Sequence, residues 1–218
     1  SATLKQKNRL KRSNKLQLID FLKKEKLPID GITSDSRQAK KGFLFAALPG
    51  SKTNGTDFVG DALMHGANYI LVPSDYKIPN EYTETVHVIH SENTRKDFAK
   101  IACKFYKTQP KNIIAVTGTS GKKSTVSFVQ QLWHLCGIEN CASLGTLGLR
   151  GPKMRKAGKL TTPDTQSLHA ALADLSAVGV DYLAMEASSH GLDQFRLDGV
   201  DIQSAAFTNL SHDHLDYH

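Results

Sequence analysis

Gly118, Gly121, Lys122 and Ser124 fall in the run Thr117-Gly118-Thr119-Ser120-Gly121-Lys122-Lys123-Ser124, directly after the apolar stretch Ile113-Ile114-Ala115-Val116. A buried strand opening through a glycine-rich turn into a helix suits a phosphate cradle. The glycines let backbone N–H groups converge on oxygen, the helix start adds its dipole and the lysine a point charge. Thr119 and Ser120 complete the turn, and the expected ligand is a nucleoside triphosphate such as ATP. The pattern G-x-x-x-x-G-K-[ST] is met only in part: Val116 stands at its first glycine, and Lys123 at the hydroxyl that would reach Mg²⁺. Ser124 or Thr125 is left to supply that oxygen, since an ammonium repels the metal. The plain alternative, a surface turn holding two glycines and two lysines, does not explain the apolar strand before it or the apolar periodicity after it (Val126, Val129, Leu132, Trp133).

A second candidate is Glu186, which ends the apolar run Tyr182-Leu183-Ala184-Met185. An acid at the carboxyl end of a strand can hold Mg²⁺ in a phosphate-handling site, and in open α/β sheets ligands lie beyond those strand ends. A third is the segment His212-Asp213-His214-Leu215-Asp216-Tyr217-His218, with three His and two Asp in seven residues. Its spacing matches no closed zinc pattern, and one histidine joining Glu186 around Mg²⁺ is the more economical reading. His90, His134 and His169 have no such context and read as core or surface histidines.

These groups need strands and helices in alternation to place them. The segment Lys15 to Lys24 reads as a short one-faced helix, Phe43 to Leu48 as a strand, Asp57 to His65 as a helix, Tyr69 to Val72 and Val86 to Ile89 as strands, and Thr94 to Tyr106 as a helix. A break at Thr108-Gln109-Pro110 precedes the phosphate-loop strand, after which strand and helix alternate again through Gln203 to Thr208. The expected fold class is α/β: a basic arm over residues 1–14, a small α/β domain over 15–109, and over 110–218 a Rossmann-like nucleotide-binding domain with a mainly parallel sheet.

The chain has 218 residues, 39% of them hydrophobic, and a formal charge of +7. Residues 1–26 hold nine Lys/Arg against Asp20 and Glu25, which accounts for the whole net charge. The basic character therefore belongs to the N-terminal arm and not to a nucleic-acid groove, and no nucleic-acid partner is expected. No apolar run reaches the length of a membrane span and the basic start lacks the apolar core of a secretory signal, so no membrane association and a cytoplasmic location are expected. Cys103, Cys136 and Cys141, odd in number and without a C-x-x-C pair, read as buried thiols.

Five segments together resemble the Mur ligase family of peptidoglycan synthesis, and within it the MurE type. They are Thr33-Ser34-Asp35-Ser36-Arg37 followed by Gly42 to Gly50; Thr117 to Thr125; Thr161-Thr162-Pro163-Asp164; Met185-Glu186-Ala187-Ser188-Ser189-His190-Gly191-Leu192; and Phe207-Thr208-Asn209-Leu210 running into Asp213 to His218. The resemblance implies that Ser34, Ser36, Ser51, Lys52 and Thr53 hold the uridine diphosphate end of a UDP-N-acetylmuramoyl-dipeptide, and that Thr161, Thr162, Ser188, Gln194 and Arg196 contact the rest of it. Gly118, Thr119, Ser120, Gly121, Lys122, Lys123 and Ser124 would bind ATP, with Glu186, His214 and Ser124 around Mg²⁺ and Lys122, Glu186 and His214 as catalytic residues.

The implied reaction is ATP-dependent amide ligation through an acyl phosphate, adding diaminopimelate or lysine as the third stem-peptide residue in an enzyme expected to be monomeric. The departures are Lys123 for a hydroxyl residue, Leu160 where Asn often precedes the two threonines, and His212 where Arg is usual. By the same resemblance, a chain stopping at His218 reads as the N-terminal portion of a ligase, lacking the amino-acid-binding domain and inactive alone. Alternative readings are another Mur-type or folylpolyglutamate-type ligase, or a nucleotide-binding module without catalysis.

Overall fold

The computed structural model describes residues 15–50, 53–82 and 85–212. The basic arm 1–14, the candidate contacts Ser51 and Lys52, and the segment 213–218 with His214 lie outside these residues. The chain divides into two compact units, one ending at Phe105 and the other starting at Tyr106.

In the first unit the elements run β1 (Lys15–Leu16), α1 (Leu18–Leu22), β2 (Gly31–Thr33), β3 (Phe43–Ala46), α2 (Val59–Met64), β4 (Tyr69–Pro73), β5 (His87–Ser91) and α3 (Thr94–Tyr106). The strands form a parallel sheet in the order β1-β5-β4-β3-β2 among the described residues. Parallel strands buried on both faces are expected to be near-continuously apolar, and Ile70, Leu71 and Val72 of β4 are fully buried. The helix expected from Lys15 is shorter than its pattern implied. Lys15 and Leu16 instead pair with Val88 and Ile89, a partnership more than seventy residues away that no local periodicity records. Helix α2 likewise begins late, because Gly55–Phe58 form a 3₁₀ turn capped by Asn54.

The second unit continues with β6 (Asn112–Thr117), α4 (Lys122–Leu135), β7 (Cys141–Gly145), β8 (Gly148–Arg150), β9 (Arg155–Lys156), α5 (Thr165–Ala177), β10 (Tyr182–Glu186), α6 (Ser189–Asp193) and β11 (Ile202–Phe207). The sheet order is β11-β6-β10-β7-β8-β9. The first four strands are parallel, and β8 and β9 return as an antiparallel hairpin that the sequence did not signal.

Alternation along β6 and β10 divides the core in two. Ile113, Ala115, Leu183 and Met185 pack with Leu168, Leu172 and Leu175 of α5, whereas Val116 and Ala184 pack with Val126 of α4. Each fully buried leucine in this packing contributes about 1.5–3 kcal/mol relative to exposure. The sheet thus carries a helix on each face, and its parallel strands end together at one edge. Of the three cysteines only Cys141 is buried; Cys103 is half-buried and Cys136 is exposed at the end of α4, where the apolar stripe has already left the sheet. That corrects the expectation of three buried thiols. Among the described residues no helix is long and apolar enough to cross a membrane.

Candidate functional site

The loop between β6 and α4 turns on two glycines with left-handed or related backbone angles, Gly118 at φ 126° and Gly121 at φ 87°, the latter serving as the N-cap of α4. At Gly118 a Cβ would sit 2.2 Å from Thr208 Oγ1 and 2.9 Å from the Asn209 carbonyl, so glycine is required both for the angle and for the close approach. The loop is held from outside by the end of β11. Thr208 Oγ1 donates to the Ser120 carbonyl at 2.7 Å, Thr119 N donates to the Asn209 carbonyl at 2.9 Å, and Ser211 N donates to Thr119 Oγ1 at 3.0 Å. Lys122, the first residue of α4, folds back so that Nζ donates to the Gly118 carbonyl at 2.5 Å and to the Thr119 carbonyl at 3.0 Å. Ser120, Lys123 and Ser124 are exposed around it.

Glu186 ends β10 one strand away, in register with Val116, and is 3% exposed. Its Oε1 accepts from Thr146 N at 2.8 Å and its Oε2 from Thr146 Oγ1 at 3.1 Å. A Cβ on Gly145 would lie 2.1 Å from Oε1, so the absence of a side chain there makes the space the carboxyl group occupies. Glu186 enters no ion pair among the described residues. A buried carboxylate with only neutral donors lacks a counter-charge, and one acid beside a phosphate cradle is the way Mg²⁺ is commonly bound. The donor set fits that ion. Thr146 was not foreseen, although it follows the end of β7 and the strand-end rule for α/β sheets would have marked it. Lys123 and Glu186 line one small cavity together.

The motif Thr161-Thr162-Pro163-Asp164 resolves into different tasks. Thr161 borders the phosphate-loop cleft, while Asp164 caps α5 by accepting from Ser167 N at 2.9 Å and Ser167 Oγ at 2.7 Å. Thr162 is 1% exposed and its hydroxyl is spent internally, donating to the Glu186 carbonyl at 3.0 Å and accepting from Ser188 N at 2.9 Å. Its side chain therefore positions Glu186 and Ser188. Arg196 Nη1 donates to the Thr162 carbonyl at 2.7 Å and Nη2 to Gln194 Oε1 at 2.7 Å, placing Gln194, Arg196 and Ser188 around one threonine.

A cleft of about 310 Å³ collects Thr117, Gly118, Thr119 and Lys122 on one side and Thr161, Ser188, Ser189 and Leu192 on the other. Phosphate-loop residues and two of the expected substrate contacts thus face the same space. Leu210 and Ser211 complete its wall.

In the first unit Ser34 is exposed and Ser36 is 5% exposed inside a 3₁₀ turn. That turn is organised by Asp35, whose carboxylate accepts from Arg37 Nε and Nη2, both at 2.8 Å, and from Gln38 Nε2 at 3.1 Å. The Arg37 hydrogen bond holds the Asp35 carboxyl down at about 2. Thr53 is exposed at the start of the Asn54 cap. Among the described residues no group of three His, Cys, Asp or Glu could hold a metal ion; His212 is exposed and its neighbours toward His218 lie outside those residues.

The description "Mur ligase family, catalytic domain" matches residues 28–106, and "Mur ligase middle domain" matches residues 116–218. The chain is 48% identical over 192 residues to a UDP-N-acetylmuramoyl-L-alanyl-D-glutamate--2,6-diaminopimelate ligase of Rhizobium meliloti (strain 1021), covering 88% of this chain and 38% of that one. The ligase of the same name from Brucella melitensis is 49% identical over 190 residues, covering 87% and 38%. A solved structure titled as that ligase superposes with a TM-score of 0.72 at 31% identity, over 88% of this chain and 38% of its own. The chain thus spans about 38% of the length of these relatives.

Proposed function

Because the chain belongs to the Mur ligase family, we propose that it forms the nucleotide-sugar-binding and ATP-binding parts of a MurE-type ligase. That enzyme joins 2,6-diaminopimelate, the amino acid in its relatives' names, to UDP-N-acetylmuramoyl-L-alanyl-D-glutamate in the cytoplasm. The observation that carries the reading is the shared cleft: Lys122 and the Gly118 loop line it opposite Thr161 and Ser188. A γ-phosphate and a substrate carboxylate held there would be close enough to react.

In this reading the terminal carboxylate oxygen attacks the γ-phosphorus of ATP and ADP leaves, giving an acyl phosphate. The incoming amine then adds to the acyl carbon, and the tetrahedral intermediate expels inorganic phosphate to leave the amide. The protein's contribution to both steps is placement and charge. The N–H groups of Gly118, Gly121 and Lys122 at the start of α4 hold phosphate oxygens, those of Thr119 and Ser120 being spent on Asn209. Lys122, released from the Gly118 and Thr119 carbonyls, follows the charge onto the transferred phosphoryl group. Thr161, Ser188, Gln194 and Arg196 orient the muramoyl-dipeptide, and Ser34, Ser36 and the turn at Thr53 hold its uridine diphosphate end. Glu186, with Ser124 and with His214 beyond the described residues, would hold Mg²⁺, which would offset the charge of the phosphate oxygens.

Calorimetric titration of the chain with UDP-N-acetylmuramoyl-L-alanyl-D-glutamate and, separately, with Mg²⁺-ATP tests the proposal. Wild type should bind both, Lys122→Ala should lose ATP while keeping the nucleotide sugar, and Ser188→Ala should do the reverse. ATP affinity retained in Lys122→Ala would overturn the assignment. Binding of the sugar without ATP would favour a module that no longer uses nucleotide triphosphate, the reading that Lys123 supports.

A further inference from the structure

Beyond the phosphate loop, α4 continues through Ser127, Gln131 and His134, which form one wall of a cleft of about 300 Å³. The opposite wall is the β8–β9 hairpin with Arg150 and Arg155. None of the residues lining this cleft belongs to the loop 117–124, although Ser127 and Arg150 also border the small cavity of Lys123 and Glu186.

Arg150 and Arg155 stand directly opposite each other in antiparallel register. Side chains so placed share a face with Cβ atoms roughly 5 Å apart, and like charges there repel. The neighbouring Lys156, which faces Leu149, pairs with Asp174 at 3.0 Å. Neither arginine has an acidic partner among the described residues.

The hairpin is nevertheless held firmly. Gln130 donates to the Arg150 carbonyl at 3.0 Å while accepting from Ser143 Oγ at 2.7 Å, and Gly151 N closes the turn on the Met154 carbonyl at 2.8 Å. The backbone of the hairpin thus holds two exposed arginines in facing positions, where an anion between them would offset their repulsion.

We propose that this cleft is a second anion site, taking a phosphate dianion either as the free ion or as the head of a phosphate monoester. Guanidinium forks match such oxygens in pairs, and a dianion satisfies both arginines where a single carboxylate neutralises one. His134 and Ser127 offer further donors across the cleft. Its volume, at the small end for ligand pockets, suits an ion or a small ester better than a nucleotide sugar.

The test follows the arginine Nε–Hε and glycine amide NMR signals of the 218-residue chain during titration with inorganic phosphate at constant ionic strength. Glycerol 3-phosphate forms a second arm. Arg150 and Arg155 should shift together on one binding curve, separate from the curve of Gly118 and Gly121. Arg150→Ala and Arg155→Ala should each weaken the first curve by about tenfold. The glycine curve should stay unchanged in Arg155→Ala, whose side chain does not border the Glu186 cavity, and this also reports that the fold is intact. Tighter binding of the ester would assign the site to a phosphorylated molecule, tighter binding of the free ion to phosphate itself. Arginine signals that do not move, or that move equally in Arg155→Ala, would overturn the proposal.

Discussion

Ser120 and Asn209 are joined by a reciprocal pair of hydrogen bonds across 89 residues: Ser120 N donates to Asn209 Oδ1 at 3.0 Å, and Asn209 Nδ2 donates to the Ser120 carbonyl at 3.1 Å. The segment after β11 thereby fixes both the amide and the carbonyl of Ser120. Ser120 is exposed, so without Asn209 its N–H would be free to turn toward water and its carbonyl would keep only the Thr208 hydroxyl.

Asn209→Ala should therefore loosen the loop without touching its ligand-facing groups. Losing two partly exposed hydrogen bonds costs about 1–2 kcal/mol. ADP affinity should fall about tenfold and the melting temperature by a few degrees. Calorimetry and thermal unfolding on the same sample check this, and an unchanged ADP affinity would show that the clamp does not shape the loop.

Lys123 shares a small cavity with Glu186 at the place where the phosphate-loop pattern has a hydroxyl. Its ammonium opposes a divalent cation beside Glu186 by roughly 1 kcal/mol at partial exposure. Lys123→Thr should then raise the ratio of ADP affinities measured with Mg²⁺ and with EDTA by about fivefold. A ratio equal to wild type would mean that Lys123 points away from the ion.

Thr162→Val keeps shape and burial but removes the hydroxyl that links the Glu186 carbonyl to the Ser188 amide. Leaving those two groups unsatisfied in a buried place should cost about 1–3 kcal/mol, read as a drop in the urea midpoint. Thr162→Ser retains the hydroxyl and should lose much less. Equal losses in the two variants would put the effect in the methyl group.

His169 is 4% exposed on α5, with Nε2 3.1 Å from the Asp198 carbonyl, and burial lowers its pKa. The unfolded imidazole takes up a proton near pH 6.5 and the folded one resists it, so the unfolded state binds more protons and stability falls as pH drops below about 6.5. His169→Gln, which can still donate to Asp198, should flatten the stability profile between pH 7 and 5. A slope identical to wild type would assign the acid sensitivity to other groups.

The sequence by itself determined the pieces whose signal is local. The strand over Ile113–Val116, the glycines at 118 and 121, the helix Thr94–Tyr106 and the strand ending in Glu186 all follow from apolar spacing and turn chemistry within a dozen residues, and the structure has them there, the first strand extended by one residue at each end. What the tertiary structure decided is which of these pieces meet. It places Glu186 beside Thr146 and Gly145, buries Thr162 rather than exposing it, and closes the loop with Asn209. It also moves Lys15 and Leu16 from a helix into a sheet, and sets Arg150 against Arg155. Each of these depends on contacts between residues far apart in the chain, such as the pairing of β1 with β5 in the first sheet and the packing of α4 and α5 on opposite faces of the second. Periodicity reports which face of an element is apolar, but not which distant element will cover it.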